Sequence, residues 1–208
     1  SLPRTLLERY NPGFGWNRPP SERWRPFGMN QEKEMRYKAI PILLLLLFTF
    51  PLLSNASAQP QIGEKAPSFI TSTLDGKRIP LKDYWEQKGS KALVLSFFAT
   101  WCQPCKEDLR YLQKVQDQYG NIGLQVLAVL TQDSSKEEAV RKFIQELGVK
   151  FPILLDEYGI IGKRYGVTGL PCNFLVDKGG FLRARYLGYS GAVKRDFESR
   201  LADLLSAP

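Results

Sequence analysis

The chain has no histidine and only three cysteines, Cys102, Cys105 and Cys172. With no histidine and one cysteine beyond the close pair, a tetrahedral Cys/His zinc site runs short of ligands. A c-type haem attachment fails as well, because Lys106 stands where that motif requires His. Runs of Lys and Arg interleaved with aromatics are also missing, so nothing supports nucleic-acid binding. The formal charge of +8 does not change this: eight Lys/Arg and four Asp/Glu precede Gln59, leaving 21 and 17 beyond it, a net of only +4.

What is present is organised around residues 92–109, reading ALVLSFFATWCQPCKEDL. Residues 92–99 form a short, almost wholly apolar run, long enough for a buried strand and too short for a helix. Thr100 and Trp101 close it, and Cys102-Gln103-Pro104-Cys105 follows at once. Leu109, Leu112, Val115 and Tyr119 then recur at helical spacing. Strand, tight turn and helix together place Cys102 at the helix N-terminus. Unsatisfied N–H groups and the positive end of the macrodipole there stabilise a thiolate, the nucleophilic form of the thiol. Pro104 suits a first helical turn, where its missing N–H is no loss. Two intervening residues let Cys105 reach back to Cys102 in a disulfide. A purely structural bridge would close a tiny loop and restrain little of the unfolded chain. The pattern therefore points to a redox-active dithiol.

The run FFATWCQPCKED resembles the active site of the thioredoxin superfamily, and more narrowly that of the TlpA/ResA-type thiol–disulfide oxidoreductases of bacterial cell envelopes. Further segments are similar in the same order: IGEKAPSF at 62–69, LDGK at 74–77, and VTGLP at 167–171 before FLVD at 174–177. The resemblance covers about residues 61–205. It implies an α/β thioredoxin fold, a central mixed β-sheet flanked by helices, with an N-terminal β-hairpin extension.

The residues divide accordingly. Residues 1–28 are rich in Pro, Arg and aromatics, show no period and begin without Met, and are read as an upstream extension or disordered tail. In residues 29–58, Lys33, Arg36 and Lys38 precede a 15-residue apolar run at 39–53 and the Ala56-Ser57-Ala58 cleavage pattern. This order describes a signal peptide ending before Gln59, with an uncleaved membrane anchor as the alternative. No cysteine stands just after the apolar run, where a lipoprotein would carry its acylated residue, which argues against a lipoprotein. Either outcome places the domain at 59–208 in the periplasm or on the outer face of the cytoplasmic membrane, where disulfides persist.

Within that domain, residues 67–73 and 77–81 read as strands joined by Asp75-Gly76. Residues 81–84 are a short turn or helix, and the active-site helix spans 104–119, ending at Gly120. A strand at 124–130 leads to a helix over 136–147 capped by Ser134 or Ser135. A strand at 151–155, a helix at 157–165 capped by Asp156, a hairpin of 173–177 with 182–187, and a helix at 191–205 complete the domain.

The resemblance places a cis-proline at Leu170-Pro171 beside the dithiol, an edge that presents backbone groups to an extended substrate; an ordinary strand-initiating proline is the plain alternative. Trp101 is either an apolar wall beside Cys102 or part of the core. Lys106 reads as a solvated helix residue, and Asp108, where the family often has Glu, reads as charge near a helix N-terminus. Three departures stand out. Ser96 occupies the position of thioredoxin's buried Asp, and a hydroxyl is no carboxylate base. Gln103 replaces the Glu that some relatives carry between the cysteines, and Arg110 replaces a helix-kinking Pro. The proton acceptor for Cys105 is then open between water, Asp108 and another group.

Cys172, where the family usually has Thr, is either a third thiol near the dithiol or a small core-filling residue, since side chains alternate along a strand. The resemblance implies a protein-disulfide reductase in which Cys102 attacks and Cys105 resolves, with Trp101, Pro104, Leu170 and Pro171 contacting substrate. No metal or nucleotide cofactor is required. Implied partners are protein disulfides, apocytochrome c among them, and a membrane thiol carrier as electron donor. The alternatives are a thiol oxidant or isomerase, a cis-proline-edge module that binds unfolded chains, and, with less support, a peroxiredoxin-type peroxidase.

Overall fold

A computed structural model describes residues 59–207. The upstream extension and the signal peptide or anchor fall outside the described residues. Among the described residues, no helix is long and apolar enough to cross a membrane.

The elements in order are β1 (Ile70–Ser72), β2 (Arg78–Pro80), α1 (Lys82–Glu86), β3 (Ala92–Phe98), α2 (Gln103–Tyr119), β4 (Leu124–Thr131), α3 (Glu137–Leu147), β5 (Ile153–Asp156), α4 (Ile160–Arg164), β6 (Cys172–Asp177), β7 (Leu182–Leu187) and α5 (Gly191–Ser206). The five-stranded sheet has the order β5-β4-β3-β6-β7. Strands β5, β4 and β3 run parallel, β6 is antiparallel to β3, and β7 is antiparallel to β6. This is the thioredoxin fold, and β1–β2 is the expected N-terminal hairpin.

Strand β3 is central and buried along all seven residues, which is why it reads as a continuous apolar run rather than an alternating one. Its alternation nevertheless sorts the core into two layers. Val94 and Phe98 face Leu109 and Leu112 of α2 and Phe197 and Leu201 of α5. Leu93, Leu95 and Phe97 face Leu81, Trp85, Tyr165 and Phe174 on the other side. Each such Leu or Phe contributes about 2 kcal/mol by leaving water. Truncating Phe97, fully buried among the Tyr165 and Phe174 rings, would cost about 3–5 kcal/mol.

Several local expectations change. The hairpin strands are only three residues each, because the carbonyls of Pro67 and Ser68 bond to Tyr165 and Arg164 instead of continuing the ladder. Thr71 Oγ1 donates to the Leu155 carbonyl at 2.6 Å, laying the hairpin along β5 and covering that edge of the sheet. Helix α2 ends at Tyr119 with Gly120 as its C-cap, as expected, but Gly120 is right-handed and the chain continues through a 3-10 turn to Gly123, at φ +110°, where a Cβ would meet the Gly89 carbonyl at 2.5 Å. Neither Ser134 nor Ser135 caps α3, which begins after Lys136 with Glu137 and Glu138 in its first turn. Ser135 is engaged elsewhere. The helix expected over 157–165 begins only at Ile160, with Gly159 rather than Asp156 at its N-cap, although the Asp156 carboxylate accepts from the Ile161 and Gly162 amides at 2.9 Å.

Candidate active site

Strand β3 ends at Phe98, and the next few residues turn directly into α2. Cys102 is the N-cap of that helix, in extended backbone conformation (φ −80°, ψ 104°), and makes no side-chain capping hydrogen bond. Pro104 sits in the first turn, as its missing N–H allows. The Cys102–Cys105 disulfide is formed, with S–S 2.00 Å and Cα–Cα 5.3 Å. Cys102 is the outer sulfur but is only 5% exposed, while Cys105 is fully enclosed. The uncapped N–H groups at this end of a 17-residue helix supply the positive potential that favours a thiolate. Arg110 replaces the kinking proline and α2 runs through it without a break.

The structure corrects the reading of Asp108 as mere helix-end charge. It lies three residues after Cys105, hence on the same face of α2, and is 2% exposed. The Asn173 amide Nδ2 donates to both carboxylate oxygens at 3.0 Å, and Ser96 Oγ donates to Oδ2 at 3.4 Å. Ser96 and Asn173 are cross-strand partners in the β3–β6 register, so both side chains project to the α2 side of the sheet. Burial pushes the Asp108 carboxyl up to about 6, against the opposing pull of the Asn173 and Ser96 hydrogen bonds. Thus Ser96 leaves out the strand carboxylate of thioredoxins, and α2 supplies another beneath the dithiol.

Trp101 is 68% exposed, so the core alternative is excluded. Gln103 and Pro104 are exposed beside it. The Leu170–Pro171 peptide bond is cis. Cys172 pairs with Phe97, which brings Pro171 to the end of β3 from which Cys102 emerges. Trp101 and this loop share a cleft of about 320 Å³, lined also by Thr131, Gln132, Val167 and Gly169. The residue before Trp101 is braced in a way the sequence did not suggest. The Thr100 backbone N–H and Oγ1 both donate to Asp133 Oδ2, the latter at 2.7 Å, and the Ser135 N–H donates to Asp133 Oδ1 at 2.8 Å. Against the upward push of partial burial, the Ser135 and Thr100 hydrogen bonds hold the Asp133 carboxyl below its ordinary value.

Lys106 is half-buried, with its ammonium 5.9 Å from the centre of the Phe143 ring, rather than fully solvated. Cys172 is buried in the layer opposite the dithiol, packed with Phe97, Tyr165 and Phe174. Burial pushes its thiol up, which keeps it protonated. The core-filling reading of Cys172 matches this placement.

An electropositive helix end, a vicinal-type dithiol and a thioredoxin sheet define the class: a thioredoxin-fold protein with a redox-active CxxC. Residues 62–185 match the AhpC/TSA family. The chain is 38% identical over 120 residues to the thiol-disulfide oxidoreductase ResA of Bacillus thuringiensis subsp. konkukian (strain 97-27), covering 58% of this chain and 66% of that one, so it spans about two thirds of that relative's length. It is 29% identical over 177 residues to ResA of Geobacillus thermodenitrificans (strain NG80-2), covering 84% and 97% of the two chains. Among solved structures, one described as a thiol:disulfide interchange protein DsbE from Chlorobium tepidum superposes with a TM-score of 0.63 at 30% identity, over 71% of this chain and 99% of that one. The chain belongs to the AhpC/TSA family, within its ResA-like thiol–disulfide oxidoreductases.

Proposed function

We propose that this protein reduces protein disulfides outside the cytoplasm through the Cys102/Cys105 dithiol. The observation that carries the proposal is the pair itself: a disulfide at the N-terminus of α2, with a buried carboxylate one helical turn behind the inner sulfur. In the reduced enzyme the Cys102 thiolate attacks a substrate disulfide. A bond forms between Cys102 and one substrate sulfur, and the other leaves as a thiolate. Cys105 then gives its proton to Asp108 and attacks the Cys102 sulfur. The Cys102–Cys105 disulfide forms, the second substrate thiolate leaves, and two electrons have passed to the substrate. Asp108 fits the proton step because a carboxyl near 6 accepts a proton at neutral pH and returns it readily. Trp101, Pro104, Leu170 and Pro171 form the rim against which the substrate chain rests.

Trapping tests the assignment. Cys105→Ser accumulates a mixed disulfide with substrate, and Cys102→Ser does not; the reverse pattern overturns it. A module that merely binds unfolded chains would survive Cys102→Ser.

The reducing direction is supported by the proline before the second cysteine. An equilibrium titration against glutathione and dithiothreitol decides it, and a potential as oxidising as about −120 mV would place the protein with thiol oxidants instead. The n-region, apolar run and Ala56-Ser57-Ala58 order support export, to the periplasm or the outer face of the cytoplasmic membrane. In that compartment we assign the apocytochrome c disulfide as a substrate, its freed thiols being the product, and a membrane thiol carrier as the electron donor. Loss of haem attachment in a deletion strain, restored by the wild type but not by Cys102→Ser, is the expected result.

A further inference from the structure

We propose that Asn173 is the positioning residue for Asp108 and serves it in both protonation states: its amide N–H groups hold the carboxylate, and its amide oxygen receives the O–H of the acid. This rests on the reading of Asp108 as the proton acceptor for Cys105.

Three observations converge. First, Asn173 is buried on β6, directly across from Ser96, and touches both oxygens of Asp108 at 3.0 Å. An ionised carboxylate only accepts, so the nitrogen of the amide must be the end that faces it. Second, the other end of the same amide, Oδ1, is buried without a hydrogen-bond partner. Buried polar atoms are nearly always satisfied, and one that is not calls for a reason. Third, the partner of that amide is a group whose demand changes during turnover. When Cys105 transfers its proton, Asp108 goes from pure acceptor to one donor and one acceptor. The enclosed site offers little water to meet that demand.

The Asn173 amide can meet it by turning about its Cβ–Cγ bond. Nδ2 then donates to the carbonyl oxygen of the acid, while Oδ1 accepts its O–H, a ring of two hydrogen bonds. Return of the proton reverses the turn. Ser96, with one rotatable hydroxyl at 3.4 Å, can assist either state but cannot serve both oxygens at once. The idle Oδ1 is thus the acceptor kept for the acid. Electrons do not move in this step; only the Cys105 proton does.

The other ionisable groups around Asp108 leave this pair in charge. Glu107 and Tyr111 lie on α2, Tyr189 precedes α5, Glu198 is on α5, and Cys172 is on β6. Tyr111 and Tyr189 are held above their ordinary values by burial, and burial likewise raises Cys172, so all three stay neutral near pH 7. Lys194 sits over the Tyr111 ring at 4.5 Å. The groups that favour the ionised form of Asp108 are Asn173 and Ser96.

The test uses the full chain, with the Asp108 carboxyl followed by ¹³C NMR and the resolution step by single-turnover kinetics from pH 5 to 9. Asn173→Leu removes both functions at similar volume. The expected result is an upward move of the Asp108 titration, an equal move of the rate profile, and at least a tenfold slower resolution at pH 7. Asn173→Ser, which folds with less disturbance and keeps one hydroxyl, gives an intermediate move of both. An Asp108 titration and rate profile unchanged in both variants, or a uniform loss of rate at every pH, overturns the proposal. Asp108→Asn separates the layers of the argument. If it leaves the rate profile intact, the proton-acceptor reading fails; if it erases the limb while Asn173→Leu moves nothing, only the role of Asn173 fails.

Discussion

Replacing Asp108 by Asn should make the oxidised protein more stable at neutral pH, and by an amount that depends on pH in a defined way. Burial raises the carboxyl from its ordinary 3.8 to about 6. At about 1.4 kcal/mol per pH unit, keeping Asp108 ionised in the fold costs roughly 3 kcal/mol. Below the unfolded value the group is protonated in both states and the cost is absent. Between about 4 and 6 the folded chain holds the extra proton, so stability falls as pH rises through that window and is level beyond it. The amide introduced by Asp108→Asn does not titrate; it keeps one oxygen for Asn173 Nδ2 and offers its own N–H to the idle Asn173 Oδ1. Urea unfolding of wild type and Asp108→Asn at several pH values reads the difference directly. It should be near zero at pH 4, rise through pH 5 and 6, and level off near 3 kcal/mol above pH 7. Carboxyls held low, such as Asp133 and Asp177, contribute slopes of the opposite sign but are common to both proteins and cancel. A difference that is flat with pH would refute the claim that Asp108 is a buried, reluctantly ionised group.

Other outcomes follow from the same geometry. Cys172→Ala should leave insulin-type disulfide reduction and the Cys102/Cys105 potential nearly unchanged while costing about 1 kcal/mol in urea unfolding; a Cys172-linked disulfide in peptide maps of the native protein would contradict its placement. Trp101→Ala should change stability by less than about 0.5 kcal/mol, since the ring is exposed, yet lower kcat/KM for protein disulfides about tenfold, as loss of an aromatic contact does. Equal turnover of protein disulfides in wild type and variant would remove Trp101 from the substrate rim. Asp133→Ala should cost about 1–2 kcal/mol by stranding the Thr100 donors and raise KM by loosening the turn before Trp101; an unchanged Tm would show the brace to be slack. Intact mass of protein recovered from the cell envelope should correspond to a chain beginning at Gln59, and a membrane-bound species retaining residues 39–53 would favour the anchor.

The redox pair and its fold were readable because the information is local. A buried strand, a CxxC and a helical period lie within the single stretch 92–119, and each supports the others. The proton site was not readable in the same way, since its three members come from β3, α2 and β6. Asp108 is legible both as helix-end charge, because acids are common there, and as one of several candidate acceptors for the Cys105 proton, and its residue type alone does not choose between them. Its position three after Cys105 and one before Leu109 put it on the inward face, a signal that periodicity alone could have supplied. Asn173 had no such signal, since its direction depends on pairing with Ser96 some 77 positions away. The serine cap of α3 failed for a related reason: Ser135 was claimed by Asp133 and Thr100, and a propensity cannot foresee a tertiary competitor.

Two adjacent residues of β6 live on opposite sides of the sheet: Asn173 under the dithiol, Cys172 in the far layer. The pleat therefore acts as a quarantine for the third thiol. A disulfide needs Cβ vectors that point toward one another, whereas the Cys172 side chain projects into the layer of Phe97, Tyr165 and Phe174, away from the layer that holds Cys102 and Cys105. While the chain is folded, Cys172 cannot intercept the mixed disulfide on Cys102 and divert it into a dead-end bridge. Before folding there is no sheet and no such barrier. The correct bridge then relies on its short loop, three residues against the far longer one to Cys172, closing first. Oxidation of the nascent chain and completion of the β3–β6 pairing are thus in competition, and slowing the second should reveal mispaired forms that the native protein never visits.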